Sequence, residues 1–310
     1  MIRLRVLLQF PEGLKAKAFE IAEEYKAKGD EVFVSGTPCF GACDIQFNEA
    51  KAVNARLIVH FGHAEFPLKK KPVKVEYREY HSDIGFEESL SKALKDKKLA
   101  GMKKIGLVTT VQHVHRIKEM KAFLEKAGKT VFVGKHGPSS KYDGQVLGCD
   151  LGSALNTEPK VDCILYFGGG IFHPRGIAIA VNKPVLACDP FLNKAAWMDE
   201  EKKKYEKRLK GMLTLGIQAN KFAVLVSTKP GQFQPELAEM LKKELESIGK
   251  EVLVLVFDFV SAEGLTNFNC FDFYVNTACP RIGFDDYARF DKPVLNAADA
   301  LKLVSLVKNK

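Results

Sequence analysis

No apolar run in this chain approaches the roughly 18 residues that a membrane span needs, and Pro11-Glu12 cuts off Val6-Leu7-Leu8 before it reaches the length of a signal-peptide core. These two absences predict a cytoplasmic protein with no membrane partner. Cysteine is sparse: seven in 310 residues is an odd count at low density, which excludes a disulfide framework and points to thiols or metal ligands. No segment is of low complexity.

The remaining composition, 46% apolar and 27% charged, is that of an ordinary soluble globular protein. A chain of 310 residues exceeds a usual single core, so two or three domains are expected. The formal net charge of +9 suits an acidic partner such as nucleic acid or a ribosome-associated factor. Runs such as Lys69-Lys70-Lys71 and Lys202-Lys203-Lys204 read as solvated surface, however, and no direct nucleic-acid contact is required.

A pattern recurs three times. The first copy has a strand over Leu4 to Phe10, then Leu14, Ala18, Phe19, Ala22 and Tyr25 at helical spacing, then Gly29 and the strand Val32-Phe33-Val34. In the second, Ile105 to Val108 precedes Ile117, Met120, Phe123, Leu124 and Ala127, with Gly128 and Val131-Phe132-Val133 after them. The third runs Phe222 to Val226, then Leu237, Met240, Leu241, Leu245 and Ile248, then Gly249 and Val252-Leu253-Val254. Each glycine stands three residues before a valine, where a left-handed residue would end a helix. A third strand follows at Leu57 to Phe61, Cys163 to Phe167 and Phe273 to Val275, and Lys-Pro-Val comes after it at 71–73, 183–185 and 292–294. Strands alternating with single helices imply right-handed crossovers and parallel sheets. The expected fold is α/β: three similar small domains, 1–100, 101–210 and 211–310, arranged around a pseudo-threefold centre, with a charged helix over Met198 to Lys210.

This architecture locates three cysteines at carboxyl ends of strands, where ligand sites form in open parallel sheets. Cys43 and Cys149 follow the second strands of copies one and two. Cys279 follows the third strand of copy three, at the position aligned with His63 and Gly169. If those ends face one centre, three thiolates complete all but one of the ligand positions of a 4Fe-4S cluster. Cys163, Cys188 and Cys270 read as packing, since free cysteine is a common buried hydrophobe. Cys39 and Cys43 form half of the Cys-x3-Cys-x2-Cys loop of conventional radical enzymes, but no third cysteine completes it, and Cys39 is read as packing or as a neighbour of the ligands.

The motifs around these cysteines are Gly41-Ala42-Cys43-Asp44, Gly144-Gln145-Val146-Leu147-Gly148-Cys149 and Thr277-Ala278-Cys279-Pro280-Arg281-Ile282. With Pro11-Glu12-Gly13-Leu14, Phe167-Gly168-Gly169-Gly170, His173-Pro174, Ser227-Thr228-Lys229-Pro230-Gly231-Gln232 and Asp285-Asp286, they closely resemble the motifs of the archaeal diphthamide synthase family, in order and over nearly the whole chain. The resemblance implies a homodimer whose cysteines 43, 149 and 279 bind a 4Fe-4S cluster. It implies transfer of a 3-amino-3-carboxypropyl group, as a radical, from S-adenosylmethionine to C2 of a histidine on translation elongation factor 2, with an external electron donor.

No catalytic residue beyond the cluster ligands is assigned. Candidate cofactor contacts are Gly168, Gly169 and Gly170, which permit close backbone approach or form an ordinary turn. His173 starts a helix or reaches the substrate. Lys229 and Gln232 hold a carboxylate or ribose, or lie in a surface turn. Asp285 and Asp286 could be a charge pair at a helix N-terminus. Two other functions stay open: a Lewis-acid cluster enzyme like quinolinate synthase, and a non-catalytic subunit that binds a partner or delivers electrons.

Overall fold

The computed structural model describes residues 4–309, and thirteen strands form three sheets among them. The first sheet contains β1 (Arg5–Gln9), β2 (Glu31–Val34), β3 (Leu57–Gly62) and β4 (Lys74–Glu79) in the order β2-β1-β3-β4, all parallel. The second contains β5 (Lys104–Thr109), β6 (Thr130–Phe132), β7 (Cys163–Phe167), β8 (Val185–Asp189) and β9 (Lys194–Trp197) in the order β6-β5-β7-β8-β9; only β9 runs antiparallel. The third contains β10 (Lys221–Ser227), β11 (Glu251–Phe257), β12 (Phe273–Asn276) and β13 (Val294–Asn296) in the order β11-β10-β12-β13, again all parallel. The α/β class and its parallel-dominated sheets agree with the sequence reading.

The repeat holds at the level of register. Val6 lies opposite Val32 and Leu57, Ile105 opposite Val131 and Cys163, and Phe222 opposite Val252 and Phe273. The helix between the first two strands of each copy ends before Gly29, Gly128 or Gly249, at φ of +89°, +83° and +78°, a conformation that costs a side-chain-bearing residue more than glycine. β7 is buried along its whole length, as strands covered on both faces are. Backbone contacts divide the chain into two compact units: one ends at Met198 and carries the first two sheets, and the other begins at Asp199 and carries the third.

Several details differ from the sequence reading. Each Lys-Pro-Val leads into a fourth parallel strand, and Cys188 lies inside that of the second copy, β8. The charged helix runs from Asp199 to Gln218, because Met212 and Gly216 bury its second half. Phe19 is 77% exposed: it stands outside the stripe of Ala18, Ile21, Ala22 and Tyr25 that packs on the first sheet, and Lys26 Nζ lies 5.9 Å from its ring. Met240 likewise faces outward. Cys270 is exposed too, because the chain is still in a turn there and Phe271 takes the buried place before β12.

Candidate metal centre and cofactor site

Each of the three candidate cysteines lies in a loop braced by a buried polar side chain. In the first sheet β1 runs between β2 and β3, so the connections diverge at its carboxyl end, where such folds form sites. Gln9, the last residue of β1, is fully buried, and its Nε2 donates to the Asp44 carbonyl at 2.6 Å. The Gln46 N–H donates to Gln9 Oε1 at 3.4 Å, and Gln46 Nε2 donates to Asp44 Oδ1 at 2.9 Å. These bonds clamp the loop directly after Cys43.

In the second sheet Asp150 performs this role beside Cys149. Its Oδ2 accepts from the Ser139 and Ser140 N–H groups at 2.7 and 2.8 Å, and its Oδ1 accepts from Gly152 N–H at 2.9 Å. Gln145 Oε1 accepts from the Lys141 and Tyr142 N–H groups at 3.0 and 3.1 Å. Gly144 to Val146 also pair with Thr109, which extends the edge of β5 by a short bridge.

In the third sheet Asn276, at the end of β12, folds the Cys279 loop back on itself. Its Nδ2 donates to the Cys279 carbonyl and to Asn296 Oδ1, both at 2.8 Å, while its Oδ1 accepts from Ala278 N–H at 3.0 Å. Asn296 Nδ2 donates to the Pro280 carbonyl at 2.8 Å. Arg281, 4% exposed, pairs with Asp285 one turn on.

The seven cysteines differ in environment. Cys43 and Cys279 are partly exposed and Cys149 is exposed. Cys163 and Cys188 are fully buried in the core of the second sheet, where burial pushes the Cys163 thiol up to about 12 and the Cys188 thiol higher still. Both fit the packing role, since a thiol so disfavoured as thiolate is a poor metal ligand. Cys39 is also buried, but its surroundings are polar: its Sγ and ring nitrogens of His60 and His63 all lie within 4.8 Å of one another. Burial lowers His60 to about 3 and His63 to about 4, so both rings are neutral.

The candidate cofactor contacts take defined positions. Gly168 to Gly170 form the turn after β7; Gly170 has φ of +69°, and a Cβ on Gly169 would stand 2.9 Å from the Phe191 ring. His173 is the second residue of the helix Phe172–Ala180, and its ring stacks on Tyr166 with centroids 5.9 Å apart. Lys229 and Gln232 share one turn after β10, with Gln232 N–H donating to the Lys229 carbonyl at 2.9 Å. Lys229 is only 4% exposed, which overturns its reading as a surface lysine, and its Nζ lies 5.8 Å from the Phe259 ring centroid. Asp285 and Asp286 end a single π-helical turn, Ile282–Asp286, and Asp286 also stands at the N-terminus of the 3-10 helix Tyr287–Arg289; burial raises Asp286 above the usual carboxylate range. The bracing residues Gln9, Asp150, Asn276 and Asn296 and the buried Arg281 were not singled out from sequence. For Gln9 and Asn276 the available signal was an amide closing an apolar strand run.

A sequence profile of the family described as putative diphthamide synthesis protein matches residues 10–309. The chain is 36% identical over 304 residues to the 2-(3-amino-3-carboxypropyl)histidine synthase of Pyrococcus horikoshii, which spans 97% of this chain and 86% of that one. It is 30% identical over 306 residues to the protein of the same name from Methanocaldococcus jannaschii, spanning 94% and 81%. The crystal structure of Dph2 from Pyrococcus horikoshii with a 4Fe-4S cluster matches with a TM-score of 0.90 at 35% identity, over 98% of this chain and 86% of that one. By profile, identity and fold together, this chain belongs to the diphthamide synthesis protein family.

Proposed function

We propose that this chain is a transferase that moves the 3-amino-3-carboxypropyl group of S-adenosylmethionine to C2 of a histidine on translation elongation factor 2, the first step of diphthamide formation. The observation that carries this reading is family membership over residues 10–309 with relatives named for that synthase activity. A 4Fe-4S cluster on Cys43, Cys149 and Cys279 fits the donor set: these three reach solvent in loops clamped at strand carboxyl ends, unlike the core thiols Cys163 and Cys188. The matching Dph2 crystal structure is described as carrying such a cluster. When bound and reduced, the cluster supplies the electron that breaks the bond from sulfur to the γ-carbon of the substrate, giving methylthioadenosine and a 3-amino-3-carboxypropyl radical.

The chain's own residues then decide which carbon is presented for cleavage. Lys229, nearly buried, is suited to hold the methionine carboxylate by charge, and Gln232 beside it to hydrogen-bond the substrate. The Gly168 to Gly170 turn lets the backbone approach closely, and His173 stands on the same connection after β7. In this reading the protein works in the cytoplasm as a homodimer and takes electrons from an external donor. No described helix is long and apolar enough to cross a membrane.

Anaerobic incubation of the reconstituted, dithionite-reduced protein with S-adenosylmethionine tests the proposal. Methylthioadenosine is the expected product, and elongation factor 2, when present, gains about 101 Da, the transferred group less the C2 hydrogen it replaces. Predominant 5′-deoxyadenosine overturns the regiochemistry. No cleavage by fully loaded, reduced protein favours a Lewis-acid or non-catalytic cluster protein.

A further inference from the structure

We propose that Cys39, His60 and His63 form a second metal site, for a single zinc-like divalent ion, at the carboxyl end of the first sheet. One sulfur and two imidazole nitrogens lie within 4.8 Å of one another there, Cys39 and His60 being 4% and 0% exposed. His60 Nε2 and His63 Nδ1 are already 3.0 Å apart. A tetrahedral ion with metal–nitrogen bonds of about 2.0 Å and a metal–sulfur bond of about 2.3 Å needs its donors roughly 3.3 to 3.6 Å from one another. Small side-chain movements therefore suffice.

The surrounding hydrogen bonds prepare one of the ligands. Gln9 Nε2 is committed to the Asp44 carbonyl, so Gln9 Oε1 is the atom that faces His60 Nδ1, at 3.2 Å. A carbonyl oxygen only accepts, so His60 carries its proton on Nδ1 and leaves the Nε2 lone pair toward His63. Histidine ligands are commonly fixed in this way, with the other ring nitrogen held by an oxygen acceptor.

The donor types select the ion. One sulfur and two imidazoles suit zinc and its neighbours, whereas calcium and magnesium take oxygen donors. Binding would release the Cys39 thiol proton to solvent, and the proton that His63 Nδ1 donates to His60 Nε2 would move to His63 Nε2, freeing both nitrogen lone pairs for the ion. Three protein ligands leave a fourth position for water. Since Cys39 lies four residues before Cys43, the ion would fasten the Cys43 loop to the end of β3.

Cobalt(II) serves as a visible probe, added to the full-length chain carrying Cys43→Ala, Cys149→Ala and Cys279→Ala and, separately, to the cluster-free parent chain. One equivalent should bind, with a thiolate-to-cobalt charge-transfer band and tetrahedral visible absorption that zinc displaces. Adding Cys39→Ser should abolish the charge-transfer band, and His63→Gln should weaken binding roughly ten-fold or more, with unchanged circular dichroism. His63 is only partly buried, so His63→Gln carries the test if Cys39→Ser misfolds. Absence of stoichiometric binding, or the same spectrum and affinity in both variants, overturns the proposal.

Discussion

Gln9 and Asp44 are joined by a buried hydrogen bond of 2.6 Å from the Gln9 amide to the Asp44 backbone carbonyl. The bond links the last residue of the central strand to the residue after Cys43, so the position of that cysteine is inherited from the sheet. Gln9→Leu removes the donor and leaves the Asp44 carbonyl without this partner, a loss of about 1–3 kcal/mol for a buried group. We expect a lower midpoint in urea and a reduced iron content after reconstitution, with secondary structure kept. Unchanged midpoint and iron would show that the loop holds its shape without the clamp.

The three loop cysteines and the two core cysteines should separate cleanly. Cys43→Ala, Cys149→Ala and Cys279→Ala should each lower iron and sulfide content severalfold, because the three thiols stand at different strand ends and Cys39, which shares the loop of Cys43, is buried against His60 and His63. Cys163→Ala and Cys188→Ala leave small voids in a packed core and should cost about 1 kcal/mol of stability each while retaining iron. Full cluster retention in Cys279→Ala would refute the assignment.

What the sequence made legible was what repeats. Alternating apolar runs, the three helix-ending glycines and their valines gave strands whose registers agree residue for residue, Val6, Ile105 and Phe222 occupying one place. The fourth strands of the first and third copies were harder to read because β4 is half-exposed and β13 is short, so Lys-Pro-Val registered there only as punctuation. The loop cysteines were visible through their motifs. Their braces were not: Asp150 binds backbone N–H groups at 139, 140 and 152, and such partners depend on how the loop folds back. Cys39 with His60 and His63 was hidden for a related reason, since β1 lies between β2 and β3 and only the sheet order brings their carboxyl ends together.

Lys229 and Gln232 should affect the substrate without affecting iron. Both are nearly buried on one turn after β10, remote in sequence from every candidate ligand. Lys229→Ala and Gln232→Ala are expected to keep the iron content while methylthioadenosine formation falls, by roughly ten-fold or more for loss of a charged hydrogen-bond donor. Lys229→Arg, which keeps the charge, should retain more activity than Lys229→Ala. Loss of iron in step with activity would reassign the turn to a structural role.

His113 should make stability depend on pH. It lies in the short helix Val111–Val114 after β5, is 1% exposed, and presents its ring edge-on to Phe167 at 5.0 Å. Its Nε2 has no hydrogen-bond partner among the described residues. Burial lowers its pKa to about 4; His115 and Arg116 push the same way and Asp189 opposes them. Below about pH 6.5 the unfolded chain takes up a proton that the folded chain accepts only near 4. The contribution is therefore fully present above the unfolded value and is lost progressively as pH falls toward the folded one, by at most about 1.4 kcal/mol per pH unit. His113→Phe removes the titrating group and keeps an aromatic ring beside Phe167. Urea unfolding at about pH 7.5 and about pH 5 should therefore show a shallower loss of stability in the variant than in the parent. His60 and His63 titrate in both proteins, so the difference in slope belongs to His113, and equal slopes would show that its ring takes up its proton at the same pH in the folded and unfolded chains.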